Sequence, residues 1–223
     1  MFLKICGIKT LDELKIVEKY ANATGIIVEC ESKRRIELET GLNIIKNSKI
    51  PVFAVSTTKD LELWKKIVES IENTLSNSNS YNSSNSKIKP HIQIHTDMDV
   101  KNIEFLKTEY DCVIMKSFEV SKHSLDPEKD AENLLSEIEG YEVDKILLDT
   151  GKGCGKIHDH RISQIISKKI DVVLAGGLNF ENVNNIVNSV NPYGIDMSSG
   201  VEKNNRKDEY LIKKVCNNLK LKS

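Results

Sequence analysis

Short β-branched runs recur along this chain, separated by longer stretches of helical period, and that alternation constrains the fold more than any other feature. Ile146-Leu147-Leu148 after Lys145, and Val172-Val173-Leu174-Ala175 after Asp171, are apolar at consecutive positions, which suits parallel strands covered on both faces. The pattern predicts strands over about 3–6, 24–29, 51–55, 91–95, 111–116, 144–149, 171–175 and 194–197. Helices are expected over about 10–21, 39–47, 59–72, 99–107, 129–139, 161–168, 180–189 and 208–220, with Thr10 and Asp97 as candidate caps. Eight successive βα units predict a single (β/α)8 TIM barrel, which a chain of 223 residues fills as one domain, 1–223. A doubly wound open sheet is the structural alternative.

Apolar residues make up 39% of the chain, enough Ile, Leu and Val for such a core. Lys plus Arg is 32 against 33 for Asp plus Glu, so there is no global basic field, and neither nucleic acid nor a membrane is an expected partner. An anionic ligand would need a local site. The apolar runs fall far short of the roughly 20 residues that span a bilayer, and the start, Met1-Phe2-Leu3-Lys4-Ile5-Cys6-Gly7, lacks the pattern of a cleaved signal. A cytoplasmic location is therefore expected. Cys6, Cys30, Cys112, Cys154 and Cys216 are odd in number and scattered, which argues against a disulfide framework or a zinc ribbon. Eleven of the fourteen residues from Asn73 to Ser86 are Asn or Ser, and a flexible surface loop is expected at about 73–89, away from the active face of a barrel.

In a parallel barrel, functional residues collect just after the strands. Here the first strand ends in Cys6-Gly7, the second leads to Ser32-Lys33-Arg34-Arg35, the fourth carries Gln93 and His95, and the sixth ends in Asp149. The seventh runs into Gly176-Gly177, and the eighth gives Asp196 followed by Ser198-Ser199-Gly200. Glycine turns after the last two strands let backbone N–H groups approach a phosphate closely.

Taken in order, Lys4-Ile5-Cys6-Gly7, Gln93-Ile94-His95, Leu147-Leu148-Asp149, Ala175-Gly176-Gly177-Leu178 and Asp196-Met197-Ser198-Ser199-Gly200-Val201-Glu202 resemble the phosphoribosylanthranilate isomerase family. The resemblance runs from Lys4 to Glu202. It implies a barrel enzyme of tryptophan biosynthesis that converts N-(5-phosphoribosyl)anthranilate to 1-(2-carboxyphenylamino)-1-deoxyribulose 5-phosphate, an Amadori rearrangement needing no cofactor. It further implies Cys6 as general base and Asp149 as general acid. Arg34 is implied for the anthranilate carboxylate, with Arg35 able to take that role. Asp196, Gln93 and His95 are implied for the rest of the substrate, and Gly176, Gly177, Ser198, Ser199 and Gly200 for phosphate. A base thiol is expected to have a lowered pKa. The partner is a small phosphosugar, and the protein is expected as a monomer or homodimer.

The chain departs from the family after the sixth strand, where Lys152-Gly153-Cys154-Gly155 is followed by His158-Asp159-His160 rather than an aromatic pair. The spacing of Cys154, His158 and His160 matches no common zinc site, and no metal is expected. Two rival classes remain open at this point. One is another phosphosugar barrel, an isomerase, epimerase or lyase using a lysine such as Lys4; the other is a phosphate-ligand binder without turnover.

Overall fold

The computed structural model of the protein describes residues 1–77, 89–149 and 159–221. Eight parallel strands, β1 (Phe2–Cys6), β2 (Ala23–Ile27), β3 (Val52–Ser56), β4 (His91–Ile94), β5 (Val113–Glu119), β6 (Lys145–Asp149), β7 (Val172–Leu174) and β8 (Gly194–Met197), form a closed barrel in chain order. Their register closes with Phe2, Leu3, Lys4 and Ile5 of β1 opposite Gly194, Ile195, Asp196 and Met197 of β8. Closure removes both sheet edges, and the open-sheet alternative is excluded. The return helices are α1 (Leu11–Val17), α2 (Leu38–Asn47), α3 (Leu61–Asn77), α4 (Val100–Tyr110), α5 (Pro127–Glu139), α6 (His160–Ser167), α7 (Val183–Val190) and α8 (Glu209–Asn218). After β8 come a 3-10 turn, Ser199–Val201, and a small hairpin of β9 (Glu202–Lys203) and β10 (Arg206–Lys207). Among the described residues, no helix is long and apolar enough to cross a membrane.

Two layers of apolar side chains follow from the alternation of strand faces. Residues such as Leu3, Ile5, Ile26, Ile92, Ile114 and Leu148 point outward and pack under the helices, each fully buried aliphatic side chain contributing roughly 1.5–3 kcal/mol. Their neighbours Cys6, Ala23, Phe53, Val55, Met115, Leu147, Val173 and Ala175 fill the barrel interior as a separate cluster. That interior is the floor of the site.

The structure corrects three expectations. α3 continues to Asn77 because its apolar stripe, Trp64, Ile67, Val68, Ile71 and Leu75, continues to bury side chains there, so the expected loop gives up its first five residues; residues 78–88 lie outside those described. α4 is capped by Asp99, whose carboxylate accepts from Lys101 N at 2.8 Å, and not by Asp97. β5 runs on to Glu119 past the polar Lys116 and Ser117 that break its apolar run. Thr10 does cap α1, accepting from Glu13 N at 3.2 Å.

Candidate active site

The C-terminal ends of the strands open onto a cavity of about 560 Å³, in the range of small-molecule sites. Of the twelve residues the sequence singles out, ten line it: Cys6, Arg34, Gln93, His95, Asp149, Gly176, Gly177, Asp196, Ser198 and Ser199. Arg35 is the first exception. It pairs with Ile27 in an isolated bridge and its side chain is 44% exposed beside Glu37, so of the two arginines it is Arg34 that lines the cavity. Gly200 is the second. A Cβ there would fall 1.8 Å from the Leu178 carbonyl oxygen, so this glycine lets the turns after β7 and β8 touch rather than walling the cavity.

Cys6 ends β1 and Asp149 ends β6, and closure places their side chains on different walls of one cavity, both buried. Burial pushes the Cys6 thiol above its ordinary pKa; the Lys4 cation opposes this without offsetting it, and the Asp196 carboxylate adds to it. The lowered value expected from sequence is therefore reversed in the free protein, because desolvation disfavours a thiolate more than the nearby cations favour it. Asp149 Oδ2 lies 3.2 Å from His95 Nε2. The imidazole is flanked by Gln93 Nε2, 3.4 Å from Nδ1, and by Ser117 Oγ, 3.4 Å from Nε2.

Two acceptors on the cavity wall, Gln93 Oε1 and Asp196 Oδ1, are buried without a hydrogen-bond partner among the described residues. Unmet buried acceptors each cost about 1–3 kcal/mol, and hydroxyl donors of a ligand would meet them. The other oxygen of Asp196 accepts from Lys4 Nζ at 2.7 Å. Lys4 itself is wholly buried, and burial works to lower its pKa, yet Asp196 and Cys6 together outweigh this and hold the ammonium above its ordinary value.

Gly176 and Gly177 have φ of +94° and +64°, left-handed conformations that favour glycine. Asparagine side chains lock the turn: Asn182 Nδ2 donates to Gly177 O at 2.9 Å, and Asn179 Oδ1 accepts from the N–H groups of Glu181 and Asn182. Opposite, the Ser198 hydroxyl is already engaged, donating to Cys6 O at 2.9 Å. Arg34 lays Nε and Nη2 on the two oxygens of Glu202, at 2.7 and 2.8 Å, and Lys207 Nζ reaches the same carboxylate at 2.7 Å. One edge of the guanidinium is thus fixed, and the Nη1 end remains for a ligand.

Lys4, Glu202, Lys207, Asn179 and Asn182 were not assigned these parts from sequence. For Lys4 a signal existed, since it stands two residues before Cys6 and shares its inward face. For Glu202 and Lys207 there was none, because their contacts depend on a two-residue hairpin that no periodicity marks. Among the described residues, no three His, Cys, Asp or Glu side chains are grouped to hold a metal ion. Cys154 and His158 lie outside them.

Known proteins resemble this chain in sequence and in fold. The family model described as N-(5'phosphoribosyl)anthranilate (PRA) isomerase matches residues 81–218. The N-(5'-phosphoribosyl)anthranilate isomerase of Methanococcus maripaludis strain S2 is 58% identical over 221 residues, covering 99% of this chain and 97% of that one. Among solved structures, N-(5'-phosphoribosyl)anthranilate isomerase from Pyrococcus furiosus superposes with a TM-score of 0.85 at 44% identity, over 99% of this chain and 98% of that chain. A phosphoribosyl anthranilate isomerase in complex with reduced 1-(o-carboxyphenylamino)-1-deoxyribulose 5-phosphate follows at 0.72 and 28%, with the same coverage. With more than half its length matched by the family model and nearly all of it aligned to such relatives, the chain belongs to the N-(5'-phosphoribosyl)anthranilate isomerase family.

Proposed function

We propose that the protein converts N-(5-phosphoribosyl)anthranilate to 1-(2-carboxyphenylamino)-1-deoxyribulose 5-phosphate, a step of tryptophan biosynthesis, with Asp149 as acid and Cys6 as base. The observation that carries this reading is the thiol and the carboxyl on separate walls of one cavity that also holds the Gly176-Gly177 turn and Arg34. Asp149 delivers a proton to the ribose ring oxygen; the C1–O bond breaks as the nitrogen lone pair forms the C1=N bond. Cys6 as thiolate then takes the proton from C2, and the C2–H electrons form C1=C2 while the C=N electrons return to nitrogen. Tautomerisation of the resulting enolamine to the C2 ketone, with protonation at C1, completes the isomerisation. The transient iminium supplies positive charge beside Cys6, favouring the thiolate that burial disfavours in the free protein.

The substrate's other groups match what the cavity offers. The phosphate sits against the turns after β7 and β8, through backbone N–H groups rather than the occupied Ser198 hydroxyl. The anthranilate carboxylate meets the free edge of Arg34, and the sugar hydroxyls donate to Asp196 Oδ1 and Gln93 Oε1. His95 contacts Asp149 and fixes where its proton is delivered. A lysine-based lyase fits less well, since Lys4 is wholly buried, committed to Asp196 and absent from the cavity wall.

Mixing purified protein with freshly generated substrate tests the reading directly. Anthranilate-adduct fluorescence is expected to decay at a rate proportional to protein concentration. A decay equal to the spontaneous rate would leave a binding protein without turnover.

A further inference from the structure

A wholly buried cation needs a reason to be there, and Asp196 is only part of the reason for Lys4. The two are paired in register across the seam between β1 and β8 and joined at 2.7 Å. Replacing such a buried pair by apolar residues of similar volume is often neutral or stabilising, so stability alone does not account for it. The Lys4 ammonium also lies 5.8 Å from the centre of the Phe53 ring, which closes one side. On another side stands Cys6. Lys4 and Cys6 share the inward face of β1, and β2 makes room for both with a glycine: a Cβ at Gly25 would lie 2.9 Å from Cys6 Sγ and 3.3 Å from Lys4 Nζ. Thiol and ammonium converge over one missing methyl group.

We propose that Lys4 is the positioning residue of the Cys6 base, its ammonium anchored by Asp196 so that a fixed buried charge stabilises the thiolate. This rests on the assignment of Cys6 as base. Lys4 is the largest influence that pulls the Cys6 thiol down against burial. Asp196 has two parts: Oδ2 holds the ammonium still, and Oδ1 remains for a ligand hydroxyl. A hydroxyl donated to Oδ1 draws off part of the carboxylate's charge, so the cation acts more strongly on Cys6 when substrate is bound.

The test needs no substrate. Alkylation of Cys6 by iodoacetamide is followed against pH on the Cys6 peptide by mass spectrometry, which separates it from Cys30 in the same cavity. The unmodified protein is compared with the double variant Lys4→Met/Asp196→Asn, because that variant leaves neither a buried carboxylate nor a buried ammonium without its partner; circular dichroism checks the fold. The apparent Cys6 pKa in the double variant is expected about half a unit or more above that in the unmodified protein, with alkylation at neutral pH about threefold slower, because Lys4 acts on the thiol more strongly than Asp196 does. Lys4→Gln, whose amide still meets Asp196, is the second variant and is expected to shift in the same direction from the unmodified protein. Superimposable profiles in either comparison overturn the role of Lys4. Turnover of the unmodified protein is measured alongside: its absence with a shifted thiol removes the isomerase reading and keeps the Lys4–Cys6 coupling, whereas its presence with unshifted thiols does the reverse.

Discussion

Cys6 is a weaker acid in the free protein than the chemistry asked of it, and this has a kinetic consequence. Because an alkylating agent reacts with the thiolate and burial raises the thiol pKa, the rate of Cys6 alkylation in the free protein is expected to rise about tenfold per pH unit, levelling only above the ordinary thiol value of about 8.5. Iodoacetamide rates between about pH 6 and 9 check this, and a flat profile there contradicts it. Arg34 yields a second expectation. With its Nε edge held by Glu202, the guanidinium is pre-aimed, so Glu202→Gln should raise KM about five- to tenfold with a smaller change in kcat, the loss of roughly 1 kcal/mol in a charge-assisted contact. It should also lower the melting temperature, because Lys207 is left buried without its carboxylate. An unchanged KM would mean that Glu202 does not hold Arg34 for the ligand.

At the level of elements, the apolar runs and the caps were legible where local chemistry decides. Thr10 caps α1 as its position suggests, and strands such as β6 and β7 fall where their consecutive apolar residues place them. What local chemistry hid was burial supplied by the rest of the fold. The Asn- and Ser-rich composition from Asn73 onward reads as loop, yet Leu75 is buried on the stripe that ties α3 to the barrel. Leu75→Ala is therefore expected to destabilise the protein by about 2 kcal/mol, at the lower end for a buried leucine because it lies at a helix end. Urea unfolding measures this, and a change below about 0.5 kcal/mol would place the residue in a surface segment. β5 carries the same lesson, since Lys116 is buried outside the barrel against the rings of Phe118 and Tyr141, a setting that makes a lysine admissible inside a strand.

For the whole molecule, the count of βα units was legible because periods of two and of 3.6 are local properties, and the residues after each strand could be collected in advance because a parallel barrel has one functional face. The partners of those residues could not be. Lys4 and Asp196 are 192 positions apart, and Arg34 and Glu202 are 168 apart, so their pairing exists only through closure of β8 on β1. The same closure sets Cys6 and Asp149 on the walls of one cavity, the geometry behind the proposed pairing of base and acid. That pairing is tested most directly by kcat/KM of Cys6→Ser, measured by loss of anthranilate-adduct fluorescence with circular dichroism confirming the fold. A hydroxyl does not ionise near neutrality, so a fall of about 10²-fold or more is expected; turnover near that of the unmodified protein would show that Cys6 is not the base.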